Sequence, residues 1–230
     1  MDGLFSHVHD ATIRTLEVNG YAVREVPAQV CCGALHAHAG LRDEARRLAR
    51  INLAAFNGAG AEPIVVNSAG CGAMLKEYGH LVDGPGTEFA ARVRDVSELL
   101  AERGPRPGAP LDTTVAYDPP CHLLHAQRIV EPPERVLRAI PVLRVTSTPD
   151  AAQCYGSAGL FSLVEPAMSR AVLAPKLASL ADARPQVVAT GNPGCLMQLG
   201  AGLAAAGLPA EVRHPVELLD ESYRAAGYYA

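Results

Sequence analysis

The chain has 230 residues, enough for one large α/β domain or two small ones, and at 49% hydrophobic residues it can fill a core. Its 20 Lys and Arg against 24 Asp and Glu leave a net charge of −4, with no basic stripe, no Trp and few aromatics, which excludes nucleic acid as the expected partner. No apolar run is long enough to span a bilayer, and the opening MDGLFSHVHD has neither the basic nor the apolar region of a secretory signal. The expected location is therefore the cytoplasm, where six cysteines serve as metal ligands, reactive thiols or small core residues rather than as disulfides.

In chain order, Leu4–Leu16 reads as a helix and Tyr21–Val26 as a strand. Leu41–Phe56 is a strong helix, with Leu41, Ala45, Leu48 and Leu53 near one face and Arg46, Arg47 and Arg50 near another. Pro63–Val66 is a short apolar strand, and Cys71–Tyr78 and Glu88–Leu100 read as helices. The Pro/Gly-rich stretch 102–110 breaks any regular element and marks a linker, which divides the chain into units 1–104 and 111–230. Beyond it come a strand at Thr113–Tyr117, helices at Cys121–Arg128 and Pro133–Ala139, and a strand at Val142–Val145. Then follow a long helix Glu165–Leu180, a strand Gln186–Ala189, a helix Cys195–Ala205, a short strand at Val212 and a closing helix Pro215–Arg224. This alternation predicts an α/β fold of mainly parallel sheets with helices on both faces. The continuously apolar runs Pro-Ile-Val-Val and Gln-Val-Val-Ala fit buried parallel strands.

The two units repeat one another. Cys31-Cys32-Gly33-Ala34 is echoed by Cys154-Tyr155-Gly156-Ser157, 123 residues on. Asn67-Ser68-Ala69-Gly70-Cys71-Gly72 is echoed by Gly191-Asn192-Pro193-Gly194-Cys195-Leu196 at an offset of 124. Cys121, after the strand Thr113–Tyr117, has its counterpart position just before residue 1, so the first unit is expected to lack its first strand and the cysteine that follows it.

Each cysteine falls where a strand is expected to give way to a helix or Gly-rich turn. Ligands collect at the carboxyl ends of parallel strands, and helix N-termini favour the thiolate that binds metal. A single cysteine is ordinarily a small core residue. Adjacent Cys31-Cys32 and the recurrence in two copies argue for a cluster site instead, with Cys31, Cys32, Cys71, Cys121, Cys154 and Cys195 as ligands. Zinc is the rival metal, but the short Cys-x₂-Cys pairs of structural zinc sites are absent. Of the histidines near the motifs (36, 38, 80, 122, 125 and 214), the expected roles are hydrogen-bond donors and helix caps rather than ligands. Ser68, Ser157 and Asp118 form no nucleophile–base set, and there is no P-loop, nucleophile elbow or dinucleotide fingerprint.

The segments CCGALHAHAG, NSAGCGAMLKEYGHL, YDPPCHLLHAQRI, CYGSAGLFSLVEP, TGNPGCLMQLG and VRHPVELL closely resemble the iron–sulfur subunits of glycolate oxidase. More broadly they resemble the cysteine-rich CCG family, which includes heterodisulfide reductase and lactate-utilisation subunits. The resemblance implies a redox subunit that passes electrons from a flavin-containing subunit towards quinone, peripheral at the inner membrane through its complex. It also implies ligation of a 4Fe–4S cluster, including a non-cubane form, by Cys31, Cys32 and Cys71 in one half and Cys121, Cys154 and Cys195 in the other. Three departures stand out. The N-terminal ferredoxin-like cysteine runs of full-length members do not occur here. The family's first cysteine would fall upstream of Met1. Tyr155 stands where the second half would carry another thiolate, and phenolate is a harder donor for iron. The alternatives are a metal-free docking module for the flavin subunit, a lactate-utilisation or heterodisulfide reductase-like cluster protein, and a thiol or zinc enzyme acting through Cys31-Cys32.

Overall fold

The computed structural model describes residues 3–157 and 159–230. Helix α1 (Ser6–Val18) leads into an irregular stretch and the short α2 (Ala34–His38). Then come α3 (Arg42–Ala55), β1 (Ile64–Val66), α4 (Ala69–Lys76), α5 (Pro85–Arg92), β2 (Val93–Asp95) and α6 (Val96–Arg103). Beyond the linker follow β3 (Thr114–Tyr117), a π-helical turn at His122–Ala126, α7 (Glu131–Arg138) and β4 (Arg144–Thr146). The chain closes with α8 (Phe161–Val164), α9 (Pro166–Ala183), β5 (Val187–Ala189), α10 (Pro193–Ala205), β6 (Glu211–Arg213) and α11 (Pro215–Ala225). All pairings are parallel: β1 with β2 in one sheet, and β4-β3-β5-β6 in the other. The α/β class with parallel sheets and flanking helices is thus as expected.

Side chains alternate across each strand between two apolar layers, as the pleat requires. In β3 and β5, Val115, Tyr117, Val187 and Ala189 enter a central core, while Ala116 and Val188 enter an outer one with Leu173, Leu180, Leu199 and Leu203. In β1, Val65 faces the central core, and Ile64 and Val66 face a separate layer with Ala49, Tyr78 and Phe89. The central core draws on both repeats. It takes Val8 and Leu16 from α1, Leu99 and Leu100 from α6, Leu137 from α7, and Leu218, Leu219 and Tyr223 from α11. The packing is reciprocal: α1 lies on α11, and α6 lies on α7. A two-pronged Arg14–Asp220 ion pair, 2.8 Å at each prong, and an Asn19 Nδ2 to Tyr223 Oη hydrogen bond of 2.9 Å tie α1 to α11.

Two segments differ from expectation. Residues 21–26 are irregular, not a strand. In the second half the corresponding strand, β4, pairs with β3, and among the described residues of the first half no strand stands in the β3 position. An extended segment without an edge to pair with leaves its backbone to water. The expected helix Glu88–Leu100 is two helices parted by β2. The break is local chemistry: Asp95 accepts from the Ser97 N–H at 2.9 Å, and the Glu98 carboxylate accepts from the Asp95 N–H at 2.8 Å. This capping box starts a new helix and leaves Val93 extended. His214 and Glu217 build the same box at the start of α11, directly after β6. No helix among the described residues is long and apolar enough to cross a membrane.

Candidate functional site

Cys71 and Cys195 occupy the same place in the two halves, each the third residue of a helix that follows a strand (α4 after β1, α10 after β5). The residues before these helices, Ser68 and Asn192, are extended and leave their own helix starts without a side-chain cap. The two helix starts meet. The Ala69 N–H donates to the Gly191 carbonyl at 3.0 Å, and the Gly70 N–H donates to Asn192 Oδ1 at 3.0 Å.

In the first half, Cys32 Sγ lies 3.4 Å from Cys71 Sγ. Cys32 is buried and Cys31 exposed, because consecutive side chains in the extended loop diverge. The Gly33 N–H donates to Cys31 Sγ at 3.5 Å. Gly33 has a φ of 85°, and a Cβ there would sit 3.3 Å from the Ala45 backbone, so the turn that aims both thiols admits only glycine without strain. Asn52 and Tyr78 hold the loop from below. Asn52 donates to the Cys31 carbonyl at 3.3 Å and to Tyr78 Oη at 2.9 Å, and Tyr78 donates to the Cys32 carbonyl at 3.0 Å. The Cys32 thiol donates to Cys71, and its single proton can serve only one neighbouring sulfur at a time. Hydrogen bonding with Cys32 draws Cys31 down to about 5 and Cys71 to about 7, and pushes Cys32 itself far up. Holding the proton on Cys32 favours the ligating thiolate form at its neighbours. His36 sits close enough to Cys31 to lower it further, and its Nδ1 is buried without a hydrogen-bond partner.

The second half repeats the loop and helix start with different residues around them. Cys154 is exposed like Cys31, and buried Tyr155 takes the place of Cys32. Gly156 has a φ of 80°, and a Cβ there would meet the Ser169 carbonyl oxygen at 2.7 Å. Cys121 donates towards Cys154, which pushes Cys121 up, and its sulfur is 3.6 Å from His122 Nδ1. Cys195 is pushed up to about 11 by burial, opposed by hydrogen bonds from Tyr155 and Asn192. Asn192 Nδ2 lies 3.3 Å from Cys195 Sγ. Electrostatic coupling links Cys154 to both Cys121 and Cys195. The structure therefore gathers the six predicted cysteines into two groups of three. Among the described residues, no three Cys, His, Asp or Glu side chains converge as a ready-made site for a single metal ion.

The histidines divide. His214 is a helix cap, as expected, with Nδ1 accepting from the Val216 N–H at 3.2 Å. His38 stacks on His122 with ring centroids 6.1 Å apart, which joins the first group's α2 to the second group's turn. His125 meets the Ala152 carbonyl at 3.0 Å, and His80 pairs with Glu77 at the surface.

One group went unread in the sequence. Lys176, on α9, is 2% exposed and donates to Asp118 Oδ2 at 2.7 Å and to the Asp150 carbonyl at 2.6 Å. Its ammonium also lies 5.8 Å from the Tyr155 ring centroid. Burial lifts Asp118 to about 6 against the pull of Lys176, and Asp118 Oδ1 has no partner. The signal was there: one lysine at helical spacing from Leu173 and Leu180, on the face of α9 that is buried.

The CCG cysteine-rich domain family matches residues 1–76 and 115–200. The chain is 34% identical over 237 residues to the probable glycolate oxidase iron-sulfur subunit of Bacillus subtilis, covering 99% of this chain and 53% of that protein. It is 32% identical to the glycolate oxidase iron-sulfur subunit of Escherichia coli, covering 95% of this chain and 55% of the relative. It is 29% identical to lactate utilization protein A of Geobacillus kaustophilus, at 96% and 95% coverage. The chain thus spans about half the length of the first two relatives and nearly all of the third. The repeated cysteine motifs, their matched places in the fold and a family match over most of the chain lead to one conclusion: the chain belongs to the CCG cysteine-rich domain family.

Proposed function

We propose that this chain is an iron–sulfur electron-transfer unit of a flavin-dependent 2-hydroxy-acid oxidase, with Cys31, Cys32 and Cys71 holding iron in one half and Cys121, Cys154 and Cys195 in the other. The observation that carries the reading is the recurrence of a thiol at the third position of two equivalent helices, each beside an exposed cysteine on a glycine-closed loop. A multi-iron cluster has a separate iron for each thiolate, so its ligands need not converge on one point as they must for a lone zinc ion. Relatives named as glycolate oxidase iron-sulfur subunits and as a lactate utilization protein support the same reading.

A bound cluster would supply reversible one-electron chemistry at these sulfurs. The chain's own residues supply the rest. Asn52 and Tyr78 hold the first loop's carbonyls, Gly33 places an N–H on a sulfur, and Asn192 places an amide N–H on Cys195. The cluster is proposed to be of 4Fe–4S type, the donor a flavin subunit oxidising glycolate or lactate, the acceptor quinone, and the setting the cytoplasmic face of the membrane. Anaerobic purification and reconstitution test this. The expected result is iron and acid-labile sulfide bound to the chain, lost from the respective half in Cys32→Ser and Cys195→Ser. A colourless chain that takes up neither would overturn it.

A specific observation favours a second reading, docking without metal. Leu163, Val164, Met168 and Val172 form an exposed apolar row along α8 and α9, close after Cys154. Under that reading the iron-free chain binds the flavin subunit, and Cys71→Ser and Cys195→Ser leave binding unchanged.

A further inference from the structure

Asn192 begins α10, where an asparagine ordinarily turns its side-chain oxygen back to its own helix's first N–H groups. Here it makes no such bond. Its Oδ1 instead accepts from the Gly70 N–H at 3.0 Å, in the first turn of α4 and in the other half of the molecule. The Ser68 hydroxyl lies 3.4 Å from the same oxygen. A backbone N–H can only donate, so the amide's orientation is fixed by its partner and Nδ2 must face the other way. It faces Cys195 Sγ at 3.3 Å. Space enforces the arrangement, since a Cβ on Gly70 would sit 3.2 Å from Asn192 Oδ1. The parallel Ala69 N–H to Gly191 carbonyl bond locks the two backbones together. Ser68, at the equivalent place in the first half, donates its hydroxyl across to Asn192 Oδ1 rather than to its own helix. In the second half the helix cysteine thus has a side-chain amide donor, Asn192 Nδ2. Asn192 alone joins the two cysteine helices through both ends of one amide.

We propose that Asn192 is a positioning residue shared by both cysteine groups: its Nδ2 donates to the Cys195 sulfur and its Oδ1 closes the start of the helix that carries Cys71. This rests on the electron-transfer reading above. A hydrogen bond to a thiolate ligand withdraws charge from it, favours the more reduced, more negative state, and so raises the reduction potential. The same residue makes the placement of Cys71 in one half depend on α10 in the other.

Two conservative variants separate the arms. Asn192→Asp keeps an oxygen for the Gly70 N–H and turns an acceptor on Cys195. Asn192→Ser places here the residue that the first half carries, Ser68, keeps a hydroxyl donor for Cys195 and is too short to reach Gly70. The full chain, reconstituted anaerobically with iron and sulfide, is titrated with spectroscopic detection, and the second group's signal is identified as the one lost in Cys195→Ser. Hydrogen exchange at the Gly70 amide is followed in the same preparations. Asn192→Asp should lower the second group's midpoint potential and leave Gly70 protected. Asn192→Ser should hold the potential near wild type and speed Gly70 exchange at least tenfold. An unchanged potential in the Asp variant, an equal drop in both variants, or unchanged exchange in the Ser variant would overturn the proposal. A wild-type chain that takes up no iron refutes the electron-transfer reading and the potential effect together, while Gly70 exchange in the iron-free variants still decides whether the bridge exists.

Discussion

The two halves are built on one plan, and they differ most instructively in what each buries beneath its cysteine loop. The offset of 124 that relates Cys71 to Cys195 also relates Asn52 on α3 to Lys176 on α9. Ala45 and Ser169, one on each of these helices, are the residues that a Cβ on Gly33 or Gly156 would strike. Asn52 is a neutral amide that satisfies the loop carbonyl and Tyr78. Lys176 is a buried ammonium held by Asp118 and the Asp150 carbonyl, and it stands beside the tyrosine that replaces a thiol. The first half thus offers its three thiols on a neutral floor. The second offers three thiols over a buried charge pair with a phenol between. Desolvation makes charge expensive, so the second arrangement is the more fragile one when a partner is removed.

The largest expected effect bears on whether the halves are functionally equal. Cys32→Ser and Cys195→Ser should each remove about half of the bound iron if each group ligates its own cluster. Loss of all iron from either single variant, by metal analysis, would mean one shared centre and would break the comparison. Next in size, Lys176→Met should destabilise the fold by about 3–5 kcal/mol at neutral pH, because it strands Asp118 in the interior. Chemical denaturation checks this, and the deficit should shrink on acidification as Asp118 takes up a proton. Asn52→Ala, on the neutral floor, should cost less, about 1–3 kcal/mol, through unsatisfied loop groups. A cost equal to that of Lys176→Met would erase the distinction between the floors.

The paired capping boxes sharpen it further. Burial lowers the His214 imidazole from its ordinary 6.5 to about 4, with His9 adding to the effect. Between those values the unfolded chain binds the proton and the folded chain does not. Stability from this residue is therefore complete above pH 6.5 and is lost as pH falls towards 4. His214→Asn keeps a cap acceptor and removes the titration. The wild type should lose about 2–3 kcal/mol relative to this variant between pH 6.5 and 4, measured by denaturation at each pH. Asp95, the counterpart in the first half, shifts the opposite way, up to about 6 by burial, so the folded chain takes up this proton before the unfolded chain and the group adds stability as pH falls from 6 towards 4. The smallest effect is Asp95→Ala, which should cost about 1 kcal/mol for the lost cap and show as a small drop in the midpoint of thermal unfolding.

Much of this was legible residue by residue. Cys-Cys-Gly echoed by Cys-Tyr-Gly, and Asn-Ser-Ala-Gly-Cys echoed by Gly-Asn-Pro-Gly-Cys, mark both cysteine groups in the sequence, since glycine at a left-handed turn and cysteine at a helix start are local requirements. The break at β2 was legible too and went unread: Asp95-Val96-Ser97-Glu98 is a helix-start signature inside what looks like one continuous helix. The irregular stretch 21–26 was not legible, because its composition suits a strand and only the lack of a pairing edge denies it one. Lys176 announces itself as a charge on the leucine face of α9, but its partners lie 58 and 26 residues away along the chain.

Sequence alone determined most of the elements and the repeated motifs that carry the thiols, because helix starts, apolar strands and glycine turns depend on neighbours a few positions away. Tertiary structure decided which sulfurs meet, which of an adjacent pair is buried, and that α1 packs on α11 and α6 on α7, so that one core serves both repeats. It also decided that Asn192 caps a helix in the opposite half. These are long-range pairings, set by which apolar faces can be buried together and which polar groups must then find a partner, and no local pattern encodes that choice.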